Sequence, residues 1–267
     1  MTEEATAADR IRQVAVTISE ILCIIGTLVG VGVIGTRVAE TSGGALAADA
    51  TRLAPASTAF SIWSVIYVGL AAYTVYQWLP SQATRQRHRS VGWLIAGSML
   101  LNAAWLLVTQ QGWLWVSVVV IVALAVLLGV IALKLTRDTA RDWVDRTILD
   151  GTLGLYLGWV AVATCANITT ALIEAGLNPS AAVADTSAVI VLAVAAALGA
   201  VFAWRLGARY TVAIAMAWGL TWIAVGRLAD EPVSGPTAIA AIAAAVIVVV
   251  AVPWARARSR MLADVVA

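Results

Sequence analysis

Histidine, cysteine and charge are scarce in this 267-residue chain: one His, two Cys and 12% Asp, Glu, Lys and Arg together. An ordinary soluble domain carries about 25% charged and about 45–50% apolar residues. A single His leaves almost no material for His-based metal sites or Ser-His-Asp triads. Cys23 and Cys165 cannot build a disulfide scaffold, and both fall in apolar runs, so both read as reduced thiols. A net charge of +2 is too small for a nucleic-acid-binding footprint. What the chain has in excess is hydrophobic surface, 61% of its residues, with a mean hydropathy of +0.91. Exposed to water such a surface would aggregate, and disorder is excluded for the same reason. The composition predicts an integral membrane protein whose first partner is the lipid bilayer.

A membrane-crossing helix needs about 20 predominantly apolar residues. Eight runs qualify: Val14 to Gly35, Ser57 to Leu79, Val91 to Thr109, Trp113 to Leu135, Ile148 to Ile173, Ala181 to Trp204, Tyr210 to Val225 and Ala238 to Pro253. They are rich in Ala, Val and Leu without alternation, which predicts helices and not a membrane barrel. The first run is longer than a signal-peptide core, so it reads as a retained span despite the Ala45-Leu46-Ala47 tripeptide. With both termini cytoplasmic, fourteen Lys and Arg fall on that side and three (Arg37, Arg52, Arg227) on the other. That asymmetry predicts the orientation, and a bacterial-type inner membrane. The cluster Arg85, Arg87, His88 and Arg89 then reads as a cytoplasmic topology determinant. No internal repeat stands out.

Twelve Trp against two Phe is an unusual ratio. Trp78, Trp93, Trp113, Trp115, Trp143, Trp204 and Trp254 sit at run ends, as an interfacial belt would. Trp63, Trp105, Trp159, Trp218 and Trp222 lie deeper, where an indole N–H needs a partner. Helical spacing puts Phe60, Trp63, Tyr67 and Thr74 on one face of the second span. Ser98, Asn102, Trp105 and Thr109 share a face of the third. Thr152, Tyr156, Trp159, Ala163, Asn167 and Thr170 share one on the fifth. Polar groups avoid lipid, so the stripes should face inward. Two readings stay open on the residues alone: the amides tie helices together, or the stripes bind a flat, largely apolar ligand by stacking and hydrogen bonding.

Phe60-Ser-Ile-Trp63-Ser-Val-Ile-Tyr67, Asn102-Ala-Ala-Trp105 and Tyr156-Leu-Gly-Trp159 through Asn167 together resemble the TspO/MBR family of tryptophan-rich sensory and translocator proteins. The resemblance covers roughly residues 11–178. It implies a five-helix core with a cavity roofed by the loop after the first span, taking tetrapyrroles, sterols or benzodiazepine-type compounds. By position, Phe60, Trp63, Asn102, Trp105, Trp159, Ala163 and Asn167 would line it. Tyr67 and Tyr156 lie on the same stripes and are included as ligand-binding candidates. The helix-five tail, Ile168 to Glu174, lacks the Tyr and Arg of the cholesterol-recognition motif, so no sterol is expected there. Three spans beyond the five make this an enlarged form, residues 1–178 being the core and 179–267 an extension.

The expected fold is therefore an all-α membrane bundle of eight spans. The expected function is binding of a porphyrin-like molecule in transport or sensing, with no catalytic residue and no required cofactor. Because no run contains His, free-base porphyrin is favoured over His-ligated haem. The alternative is a proton-coupled transporter using Glu20, a carboxylate within the first run that shares a face with Gln13, Thr17 and Thr27. An intramembrane enzyme is the weakest class, since no cluster of Asp, Glu or His falls in the runs. The GxxxG pairs Gly26/Gly30 and Gly154/Gly158 predict close helix packing and also permit a homodimer.

Overall fold

The computed structural model describes residues 4–30, 33, 40 and 44–266, with side chains as far as residue 261. Gly35 at the end of the first run and Arg37 lie outside the described residues. The helices are α1 (Ala7–Gly30), α2 (Ile62–Tyr76), α3 (Pro80–Ala83), α4 (Gln86–Gln110), α5 (Leu114–Arg137), α6 (Trp143–Asp145), α7 (Thr152–Glu174), α8 (Ala181–Arg205), α9 (Tyr210–Ala229) and α10 (Gly235–Val266). A 3-10 turn, Ser57–Ser61, leads into α2, and a π turn, Arg146–Gly151, joins α6 to α7. Among the described residues there is no strand, and eight helical stretches are long and apolar enough to cross a membrane.

Their outer faces confirm the solvent they were built for. α5 buries Ser117, Ile121, Leu124, Leu128, Ile131 and Leu135 at helical spacing, whereas Val119 and Val126 are more than 60% exposed. Val68 on α2, Val194 on α8 and Ile239 on α10 are likewise exposed. Only hydrocarbon tolerates such a surface. All seven Trp assigned to run ends are exposed. The exit from α4 turns at Gly112 (φ 70°) and that from α7 at Gly176 (φ 94°), left-handed positions that suit glycine.

The chain divides into two compact units. The first comprises Met1–Gly43 and Trp63–Leu153, the second Gly44–Ile62 and Gly154–Ala267. In the first unit α1 packs along α4, and α4 along α5. The approach of α1 is close because Gly26 has no side chain; a Cβ there would lie 3.1 Å from the Cα of Ala103. In the second unit α10 packs on both α8 and α9. α7 meets α9 where Gly154 faces Thr211 and Gly158 faces the Val212 carbonyl. The predicted GxxxG residues Gly26, Gly154 and Gly158 thus serve packing inside the chain.

Two helices reach further than hydropathy predicted. α1 begins at Ala7, its first turn capped by Thr6 and Asp9 in a reciprocal box: the Thr6 N–H donates to Asp9 Oδ2 (3.1 Å) and the Asp9 N–H to Thr6 Oγ1 (3.3 Å). α4 begins at Gln86, so Arg87, His88 and Arg89 are helical, and His88 is fully buried. This corrects the expectation that no span contains His. The reason is mutual neutralisation within the first unit. Arg89 binds Asp9 through two hydrogen bonds of 2.8 and 2.7 Å. Arg87 meets Asp145 (2.9 Å) and Asp150 (2.6 Å), and Arg85 meets Asp145 (3.1 Å). The widened i→i+5 turn brings Asp145 and Asp150, five residues apart, to the same guanidinium. His88 packs between Tyr73 and Tyr76, with ring centroids 5.8 and 5.7 Å away. Buried charge is tolerated when it is paired in this way.

Candidate ligand-binding site

In the first unit, α2 carries Trp63 and Tyr67 one turn apart, and their rings stack with centroids 5.2 Å apart at an interplanar angle of 14°. The Tyr67 hydroxyl accepts a hydrogen bond from Asn102 Nδ2 on α4 (3.0 Å), which also lies 3.5 Å from the Cys23 Sγ of α1. Asn102 is buried, and its Oδ1 has no hydrogen-bond partner among the described residues. Trp105, one turn further along α4, is buried as well, and Trp63 and Tyr67 are half-buried. Three helices thus contribute a stacked aromatic pair, an amide with an open acceptor and a thiol. An unsatisfied amide oxygen in a water-poor bundle costs about 1–3 kcal/mol until something donates to it.

Glu20 stands one turn before Cys23 on α1. It is 3% exposed and neither carboxyl oxygen has a hydrogen-bond partner among the described residues. Gln13, on the same face, donates from Nε2 to the Gln77 carbonyl (2.7 Å), and Gln77 Nε2 donates to the Gln13 carbonyl (3.2 Å). Thr17 accepts from the Trp78 indole (3.0 Å), and Thr27 donates to the Cys23 carbonyl (2.9 Å). Of that stripe Glu20 alone lacks a partner. Both cysteines are free thiols.

In the second unit, Phe60 meets Trp159 edge to face, with centroids 5.6 Å apart at 78°. Tyr156, Trp159 and Asn167 are buried along one face of α7, and Ala163, the small residue between them, is half-buried. The loop before α2 is fastened to α9. Trp218 Nε1 donates to the Ala59 carbonyl (2.9 Å), and the Ala56 N–H to the Trp222 carbonyl (3.1 Å). Gly226 lets Ala54 and Ala56 approach, and the Trp218 and Trp222 rings pack edge to face. The main anchor is one that span counting missed. Arg227 is fully buried and donates to the carbonyls of Thr51 (2.8 Å), Ala48 (2.8 Å) and Pro232 (3.2 Å). Its position in the sequence, two residues past the end of the seventh run, reads as a topology signal, but the helix continues to Ala229 and encloses it.

The sequence-derived candidates therefore fall into two sets. Trp63, Tyr67, Asn102 and Trp105, with Glu20, belong to the first unit. Phe60, Tyr156, Trp159, Ala163 and Asn167 belong to the second. Direct contacts join Trp63 to Tyr67, Tyr67 to Asn102, and Phe60 to Trp159. Among the described residues no group of three or more His, Cys, Asp and Glu is arranged to hold a metal ion. His88 is 14 residues from Asn102 on α4, about 21 Å along the helix at 1.5 Å per residue, so it cannot serve that site.

The fold and these side chains define a multi-pass α-helical membrane protein with aromatic and amide groups set into an apolar bundle. A family model for TSPO-like proteins matches residues 14–254. The chain belongs to that family. The match does not stop at residue 178 but reaches into all eight spans. No curated protein and no solved structure matches the chain.

Proposed function

We propose that this membrane protein binds a flat, mostly apolar ligand with a polar edge, of which a free-base porphyrin is the representative. The observation that carries the reading is the Trp63–Tyr67 stack bound through the Tyr67 hydroxyl to Asn102, whose Oδ1 is left open. Stacked rings present a face to a π-system, and the open carboxamide oxygen accepts from a pyrrole N–H. Asn167, Trp159 and Phe60 are the corresponding contacts proposed in the second unit. Ligation of a haem iron by His is outside the proposal, now because His88 is remote and enclosed by tyrosines. Binding serves transport or sensing and needs no catalytic group. The orientation proposed is termini-inward in a bacterial-type cytoplasmic membrane, with self-association through a second copy as a further arrangement.

The test is fluorescence. Protoporphyrin added to the detergent-solubilised chain should quench Trp emission saturably, and the Trp63→Ala/Trp159→Ala double variant should lose the saturable component. Unchanged quenching in that variant would refute the assigned contacts.

A second reading is favoured by one observation, the buried Glu20 carboxyl without a partner. An intramembrane acid in that state is suited to taking up and releasing a proton. On this reading Glu20→Gln stops pH-driven uptake in proteoliposomes and leaves ligand affinity intact; undiminished uptake would remove it.

A further inference from the structure

The second unit contains a cavity of about 320 Å³ between the loop segment Ala50–Leu53, the end of α7, the start of α8 and Pro232. That volume lies at the lower end of small-molecule sites. It is distinct from the aromatic stripe of α7: Thr169, which lines it, is two residues from Asn167 and so points to nearly the opposite side of the helix. Most of the wall is aliphatic. Leu172, Ile173 and Val183 are 37, 38 and 55% exposed, so the cavity is flanked by apolar surface.

One lining residue carries donors with unused capacity. Arg52 donates from Nε to Asp185 Oδ1, which also accepts from Ser234 Oγ (2.7 Å). Nε–H is one of the five N–H donors of the guanidinium, and the side chain is about one-fifth exposed. The Arg52 charge is thus already balanced by Asp185, while its donors are not all spent. The surroundings do not favour a second anion. Asp49, Asp230 and Glu231 stand close enough to Arg227 to act on its charge, so acids outnumber the two arginines in this region.

The geometry points to a second binding site, one for a neutral amphiphile: an aliphatic body carrying a carbonyl or ester oxygen. The acceptor takes a hydrogen bond from Arg52, and the chain lies among Leu53, Leu172, Val183 and Val191. A hydrocarbon would leave the donors unanswered, and a carboxylate would compete with Asp185 and meet the neighbouring acids. The site is independent of the porphyrin-type reading, since it shares no residue with it.

The experiment uses the full chain in phosphatidylcholine nanodiscs with a diazirine-bearing methyl oleate, and maps photolabelled peptides by mass spectrometry. Saturable labelling is expected in residues 50–53 and 183–191. Methyl oleate should compete better than oleate or the corresponding alkene, by roughly tenfold or more, the value of one hydrogen bond from a charged donor. Ala184→Phe, which fills the cavity, should abolish the label. Arg52→Met should fold normally and reduce the ester's advantage over the alkene. Unsaturable label spread over lipid-facing positions such as Val119 and Val126 would overturn the site. Equal competition by the alkene would overturn the acceptor assignment, and stronger competition by oleate would overturn the neutral head. Protoporphyrin quenching, measured on the same variants, should not change, which separates failure here from failure of the proposed function.

Discussion

Replacing Arg227 by Met should release the loop before α2. The side chain donates three hydrogen bonds to the carbonyls of Ala48, Thr51 and Pro232, and is itself fully buried. Hydrogen bonds from a charged donor contribute about 1.5–3 kcal/mol each. Removing the cation also removes its desolvation cost, and carbonyls on a loop regain some water. We therefore expect a net loss of about 2–4 kcal/mol, or roughly 5–12 °C in Tm for a chain of this size. Arg227→Lys retains the charge but not the fork that reaches carbonyls on two sides, and should fall between. Thermal unfolding in detergent gives the stability. Tryptic cleavage after Arg52, faster in the Met variant, gives the loop. If Arg227→Met unfolds within 1 °C of the parent and Arg52 is cut no faster, the anchoring argument is wrong.

Other expectations follow from packing and charge. Gly158→Ala should cost about 1–3 kcal/mol in thermal unfolding, because the new methyl would meet the Val212 carbonyl and Ala215. Gly129→Ala, where a Cβ has no neighbour within 4 Å, should gain about 0.5–1 kcal/mol; equal effects at both positions would contradict the packing described. Asp145→Asn should destabilise by about 3–5 kcal/mol, since Arg85 and Arg87 lose a shared, fully buried partner. A melting curve unchanged by that substitution would show the network to be incidental. Glu20→Leu should raise the melting temperature, the buried carboxyl having no partner to lose; a fall would mean that the carboxyl is engaged.

Hydropathy made the eight spans legible because lipid leaves a helix little choice. A 20-residue apolar run has no other way to satisfy its backbone, and the Ala- and Val-rich runs of α5 and α8 show it plainly. The periodicity of Trp63 and Tyr67, and of Asn102 and Trp105, grouped side chains that do share a helix, whereas Phe60, expected on the same face as Trp63, falls in the 3-10 turn before α2 and meets Trp159 instead. The Trp63–Tyr67 stack is a pair it could suggest. What a window average hides is charge that has found a partner. Arg87, His88 and Arg89 look like a solvated turn until Asp9, Asp145 and Asp150, remote in sequence, are brought beside them. The same limit applies to Arg227, whose acceptors are backbone carbonyls some 175 residues earlier and leave no trace in side-chain composition. The cavity at Arg52 was illegible for a related reason. Its wall is assembled from a loop, two helix ends and Pro232, none of which has a periodic pattern pointing to the others.

The amide at the Trp63–Tyr67 stack is where the functional proposal is most exposed. An absorption titration of protoporphyrin into Asn102→Leu should show affinity reduced by about tenfold, the worth of one buried hydrogen bond, with the melting temperature held within a few degrees. Parental affinity in a folded Asn102→Leu protein would contradict the account.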